Sequence, residues 1–420
     1  MGVRSGASHA QKNDFTMKPS VPEPLRGEET GTFANYTVVV RLPDIARRVL
    51  VENELYPQAI QDMQALIREL PNGLVRFLVD RHAPDSQSWD AYLEPERGKN
   101  WLQIPWFTAE TYFYRRILEA TGYFEPGPGY LVDPFTCQKQ AGMKSNPEAV
   151  QALSETVNQL GQPGGWHQEA FILLLKTDLW SNQADLSLWP AGKKNKPNHP
   201  GLTQAQAYLI VDDARACALY LKGLGKPASR VDILADNAGF ELTGDLALAD
   251  YLLVCGITQE VRFHLKAHPT FVSDAMSKDV RQTINFMAAN SSVAISAIGK
   301  RLDSHMVSGR LQLVENLFWN SPLAMWEMPD TLRQELALAS LVISKGDANY
   351  RRILGDRHWS LTTPIGQVVS YFPCPLLLLR TLKSEIAVGL PAGIPEGLSQ
   401  KDPAWLTDGR WGMIQFWKKQ

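Results

Sequence analysis

Across residues 43–78, apolar side chains recur at three- and four-residue intervals, at Ile45, Val49, Ile60, Met63, Ile67 and Leu70, with polar residues between them. That period gathers them on one stripe of an α-helix. The same spacing predicts helices over 106–117 and over 147–160, where Val150, Leu153, Val157 and Leu160 share a face. Pro- and Gly-rich stretches at 126–129 and 163–165 read as turns. Residues 30–200 are therefore expected to be mainly helical, with a flexible tail over 1–29.

Beyond residue 200 the pattern changes. A helix is predicted over 204–224, followed at 230–236 by a short β-rich run that ends in acid. A helical run over 242–254 comes next, and 261–266 reads as a second strand. The compact apolar runs at 338–343 and 375–379 suit two more, although segments so rich in leucine also suit helices. Strand and helix alternate, which predicts a layered α/β domain over 201–420. In open sheets of this class ligands bind beyond the carboxyl ends of the strands.

Composition narrows the function. The chain's 420 residues are 44% hydrophobic and 20% charged, as in ordinary globular proteins. With 42 basic residues against 44 acidic ones, no overall field favours nucleic acid or an anionic membrane, so an anionic substrate needs a local basic site. Cys137, Cys217, Cys255 and Cys374 form no Cys-x-x-Cys pair, which removes support for zinc clusters and redox dithiols. The first residues lack the apolar core of a secretory signal, and no apolar run approaches a membrane span. A cytoplasmic protein without nucleic-acid or membrane partners is expected; oligomeric state is not legible.

Candidate chemistry lies just after the strands. The first delivers Asp236, Asn237 and Glu241; the second, His268 and Asp274; the third, Lys345, Asp347, Asn349, Tyr350 and Arg351; the fourth, Arg380 and Lys383. Two aspartates and an asparagine offer the oxygen ligands that hard divalent cations prefer. Lys345, Arg351 and Lys383 could offset the charge of a phosphate beside such an ion. Each segment taken singly also reads as a helix cap or turn. Four together favour one crevice, with phosphatase, kinase and nucleotide-binding readings all open.

The segments 235–241, 345–351 and 380–383 resemble the damage-control phosphatase family, and Arg380-Thr-Leu-Lys383 points to its subfamily III, which holds sugar-phosphate phosphatases and an acidic residue methyltransferase. Residues 106–116, with Glu110, Arg115 and Arg116, and residues 179–187, with Asn182 and Asp185, are similar to the family's N-terminal signatures. The likeness spans roughly residues 35–390. It implies a three-layer α/β/α sandwich with a helical N-terminal region, and a divalent metal (Mn2+ or Mg2+, with Co2+ or Ni2+ as alternatives) held by Asp236, Asn237 and Asp274. It further implies substrate contacts from Glu241, Asp347 to Arg351 and Lys383, and substrates such as fructose 1-phosphate or fructose 6-phosphate. Ser181 and Ala348 stand where the family usually has Gly and Leu. Asp236, Asp274 and Lys345 are the expected catalytic groups, with water or the Asp236 carboxylate attacking phosphorus. The rival activities are S-adenosylmethionine-dependent carboxyl methyl transfer, for which the single Gly239 after the first strand is thin support, and metabolite binding without turnover.

Overall fold

The structure, a computed structural model, describes residues 21–144, 146–181, 206–225 and 227–419. Asn182, Asp185 and the polar stretch 192–199 that follows them lie outside these residues. Seven strands form one sheet: β1 (Leu209–Asp212), β2 (Ala228–Leu234), β3 (Thr258–Leu265), β4 (Leu311–Glu315), β5 (Leu341–Lys345), β6 (Leu376–Thr381) and β7 (Gly412–Trp417), in the order β1-β7-β6-β5-β2-β3-β4. β2 pairs in parallel with β3 and β5, β3 with β4, and β5 with β6; β7 runs antiparallel to β6. From β2 the chain builds toward β4 on one side, then restarts at β5 and builds toward the other edge. The crevice between β2 and β5 is thus the topological switch point, where α/β folds bind ligands.

The four expected strands are β2, β3, β5 and β6. The helix expected over 204–224 is corrected: among the described residues Gln206–Tyr208 forms a 3-10 turn and Ala214–Gly223 an α-helix, while residues 209–212 pair with β7 as β1. A short apolar run beside an open strand edge satisfies its backbone by sheet pairing. The helical run expected over 43–78 is two helices, Leu42–Glu52 and Pro57–Glu69. Pro57 opens the second, and Pro71 disfavours helical geometry at Leu70.

Both faces of the sheet are covered, and β5 and β6 show it residue by residue. Leu341, Ile343, Leu377 and Leu379 join a core with the helices Pro147–Leu160, Gln168–Ser181, Phe240–Val254, Ser277–Ala288 and Val293–Val307. Val342, Leu376 and Leu378, one position out of phase, join a second core with Leu42–Glu52, Pro57–Glu69, Trp106–Ala120 and Gly346–Leu354. Alternate burial on both faces produces the expected α/β/α sandwich. Helices 147–160 and 168–181 pack with the first layer, so the N-terminal helices divide between the two. Residues 22–26 do not form a loose tail: Leu25 exchanges backbone hydrogen bonds with Asp356 (3.0 Å) and Trp106 (2.8 Å). No helix among the described residues is long and apolar enough to cross a membrane.

Candidate active site

The register of the central strands sets the site. Leu234 of β2 pairs with Ser344 of β5 and with His264 of β3. Two residues further on, Asp236 lies level with Gly346 on one side and Lys266 on the other. Gly346 adopts φ +82°, and a Cβ built there would stand 1.8 Å from Asp236 Oδ2. Glycine is therefore required twice, by the left-handed backbone and by the close carboxylate. Asn349, one turn into the helix that Gly346 opens, donates to the carbonyls of Ala235 and Lys345 (3.0 Å each) and ties the two strand ends together.

A second clamp joins the loops after β2 and β3. Ala238 N–H donates to Ser273 O (2.7 Å) and Ala275 N–H to Asp236 O (2.8 Å), making an isolated antiparallel bridge between Asn237 and Asp274. The Asn237 amide donates to Asp236 Oδ2 (2.9 Å) and Glu241 Oε2 (2.8 Å), and its oxygen accepts from Ser273 Oγ (2.5 Å). Just before Asp274, Phe271 (φ 47°) and Val272 (φ 68°) occupy the left-handed region, an uncommon pair for bulky residues. Packing holds them, since Val272 is fully buried and the Phe271 ring lies against Phe107 and Tyr114 of the N-terminal layer.

These loops border an open cleft lined by Asp236, Asn237, Asp274, Asp347, Arg351 and Lys383, with Phe33, Arg41, Glu110, Phe271 and Ala348 completing the wall. Eight of the residues singled out in the sequence thus share one cavity, Glu110 and Ala348 among them. Asp347 accepts from Arg380 Nε (2.8 Å), Ser384 Oγ (3.0 Å) and the Lys383 N–H (3.3 Å), which fixes the loop carrying Lys383. Arg351 forks onto Asp356 (2.7 and 3.0 Å), bonds Glu110 and stacks over the Trp106 ring at 3.5 Å. Its charge is held by protein groups on several sides.

Other expected contact residues stand behind the lining. Arg380 and Tyr350 stack on each other at 4.3 Å and brace the loop at 384–388. Glu241 stands one contact behind the lining, accepting from the Asn237 amide. Lys345 points into the opposite layer, where its ammonium meets Asp178 (2.7 Å), Asp245 (2.8 Å) and Glu241 (3.7 Å). Burial opposes that ammonium, yet the three carboxyls outweigh it and hold its pKa above the ordinary range. One cation cannot neutralise three buried acids, and burial lifts Asp245 to about 7 against the partial relief from Lys345.

A carboxyl raised from an ordinary 3.8 to about 7 stabilises the fold fully below the lower value and loses that contribution as pH rises through the upper one. Asparagine mimics the protonated acid and removes the titration. The stability of the native protein relative to Asp245→Asn is therefore expected to fall between pH 4 and 7 and then level off. Urea unfolding of both proteins across that range measures it, and parallel curves would exclude a protonated Asp245.

The donor chemistry fits a hard divalent cation. Asp236 and Asp274 bring carboxylate oxygens to one cleft edge, and Asn237 adds an amide oxygen whose two lone pairs are not exhausted by Ser273. Among the described residues no three His, Cys, Asp or Glu side chains form a metal-holding group, so the set depends on that amide. Sequence reasoning overlooked Lys266, which sits behind the edge with its ammonium 3.2 Å from Asp274 and 2.9 Å from Trp319 O. Burial lowers its pKa, with Asp274 opposing. Ending the strand one residue earlier, at Leu265, would have placed Lys266 among the strand-end groups. Phe33 and Arg41 carried no such signal.

The sequence model of the damage-control phosphatase ARMT1-like domain matches residues 37–397. Damage-control phosphatase ARMT1 of Danio rerio is 33% identical over 435 residues, covering 94% of this chain and 97% of that protein. The protein of the same name from Homo sapiens is 31% identical over 439 residues, covering 94% and 98%. A solved structure of a duf89 family protein from Pyrococcus horikoshii superimposes with a TM-score of 0.47 at 12% identity, covering 84% of this chain and 92% of that chain.

Proposed function

The chain belongs to the damage-control phosphatase ARMT1-like family, and from that premise we propose that it hydrolyses small phosphorylated metabolites, sugar phosphates such as fructose 1-phosphate or fructose 6-phosphate, with a divalent ion. The observation that carries this reading is the convergence of Asp236, Asn237 and Asp274 with Lys383 and Arg351 in one cleft at the switch point of the sheet. Asp236, Asn237 and Asp274 would hold the ion, which supplies charge stabilisation to the phosphoryl oxygens when bound. Lys383 faces the same space as a point charge for a phosphoryl oxygen. Asp347 holds the Lys383 loop, and the Arg351 guanidinium sits over the Trp106 ring. Water attacks phosphorus, the ester P–O bond breaks, and alcohol and inorganic phosphate leave. Oδ2 of Asp236 is already engaged by Asn237 and hemmed in by Gly346, which favours water over that carboxylate as nucleophile.

Phosphate release from a panel of sugar phosphates tests the reading. Chelation is expected to lower the rate at least about tenfold, and Mn2+ or Mg2+ to restore it. A rate unmoved by chelator would remove the metal, and no release from any ester would remove the activity. Carbon-labelled methyl transfer to protein carboxyls would instead establish the rival activity. The structure adds nothing in its favour: Gly239, at φ +86°, packs against Gly142, where a Cβ would come within 3.0 Å of backbone carbon.

A further inference from the structure

An ester whose phosphate lies at the Asp236–Asp274 edge presents its alcohol to the rest of the lining, and there Phe33, Arg41 and Glu110 come from the N-terminal layer. Arg41 ends a five-residue π-helical turn, Thr37–Arg41, in which the Leu42 N–H reaches back to Thr37 O. Such turns are rare and recur at functional sites. The wider turn shifts the phase of the chain, so Leu42, Ile45, Ala46 and Val49 enter the core while Arg41 borders the cleft.

Glu110 is fixed and nearly inaccessible, with one carboxylate oxygen on Arg351 and the other 3.4 Å from Arg41 Nη1. Arg41 is the more exposed member, its side chain keeping 16% of its surface open. With Glu110 holding it from behind, the Arg41 guanidinium offers several donors in a planar fork, which adjacent hydroxyl oxygens can accept. The rings of Phe33 and Phe271 offer apolar faces to a carbon skeleton.

We propose that Arg41, set by the π-helical turn and oriented by Glu110, determines specificity by hydrogen-bonding the hydroxyl groups of the alcohol, so that the cleft prefers polyhydroxylated esters to apolar ones. The proposal rests on the phosphatase reading and adds to it the residue that reads the leaving group.

The experiment compares kcat/KM for fructose 1-phosphate with that for para-nitrophenyl phosphate, an ester without hydroxyl groups, in the native protein, Arg41→Met and Arg41→Lys. Arg41→Met keeps the apolar stem and removes the donors. It should lower kcat/KM for the sugar ester about 10- to 100-fold, chiefly through KM, and that for the aryl ester no more than about threefold. Arg41→Lys keeps the charge without the planar fork and should give an intermediate ratio. An unchanged ratio in both variants overturns the role of Arg41 while leaving the phosphatase reading intact. If fructose 1-phosphate is not turned over, the best sugar ester of the panel takes its place, and failure of the native protein to hydrolyse any ester overturns both. Should Arg41→Met fail to fold, the ratio for Arg41→Lys decides.

Discussion

Gly346→Ala should cost at least about 100-fold in kcat/KM for any phosphate ester, together with about 2–5 kcal/mol of stability. The reason is geometric. Gly346 sits at φ +82°, and its missing side chain is the space into which Asp236 Oδ2 projects, 1.8 Å from where a Cβ would stand. A methyl group there must either move the carboxylate by more than about 1 Å or tilt the helix Gly346–Leu354, and misplacements of that size in catalytic groups typically cost about two orders of magnitude. Tilting the helix is no escape, since Asn349 pins it to both strand ends and Arg351 is locked to Asp356 and Glu110. The measurements are urea unfolding, divalent-ion affinity by titration calorimetry, and phosphate release by the folded protein. A variant that keeps ion affinity and turnover within about threefold would show that Asp236 is not at the reacting centre.

The site was legible as far as strand ends could carry it. Parallel strands buried on both faces read as apolar runs, and the residues following four of them, Asp236, Asp274, Asp347 and Lys383, meet in one cleft because parallel register brings those ends level. Two kinds of information were not carried that way. One is side-chain direction at the strand terminus: Lys345 shares its face with Leu341 and Ile343, whose partners are the helices Gln168–Ser181 and Phe240–Val254, so its ammonium goes to Asp178 and Asp245. Period-two parity along β5 contained that answer. The other is the origin of the remaining wall: Phe33 and Arg41 precede the first core strand by nearly two hundred residues, and an amphipathic stripe states that a helix is buried without stating against what. The edge strands β1 and β4, and β7 between β1 and β6, were missed because runs of four to six residues carry too short a pattern to mark a strand without its partner.

Its position along β5 makes Lys345 part of the framework, and Lys345→Met tests that role. Removing the cation leaves Asp178, Asp245 and Glu241 buried together with no opposite charge, and breaking one side of a buried ionic cluster typically costs about 3–5 kcal/mol. The loss should depend on pH. At pH 7.5 the cluster must either hold uncompensated charge or take up protons at the expense of folding free energy. At pH 5 protonation is easier, so the deficit relative to the native protein should shrink on acidification. Because Glu241 also receives the Asn237 amide, the variant's turnover should fall as well, by less than about tenfold per folded molecule, since Asn237 keeps its contacts with Asp236 and Ser273. Urea unfolding at the two pH values, with phosphate release normalised to folded protein, separates the possibilities. Native-like stability combined with a loss of turnover beyond about 100-fold would return Lys345 to the phosphate, as strand-end reasoning first placed it; a large, pH-dependent loss of stability with near-native turnover assigns it to the support beneath Asn237.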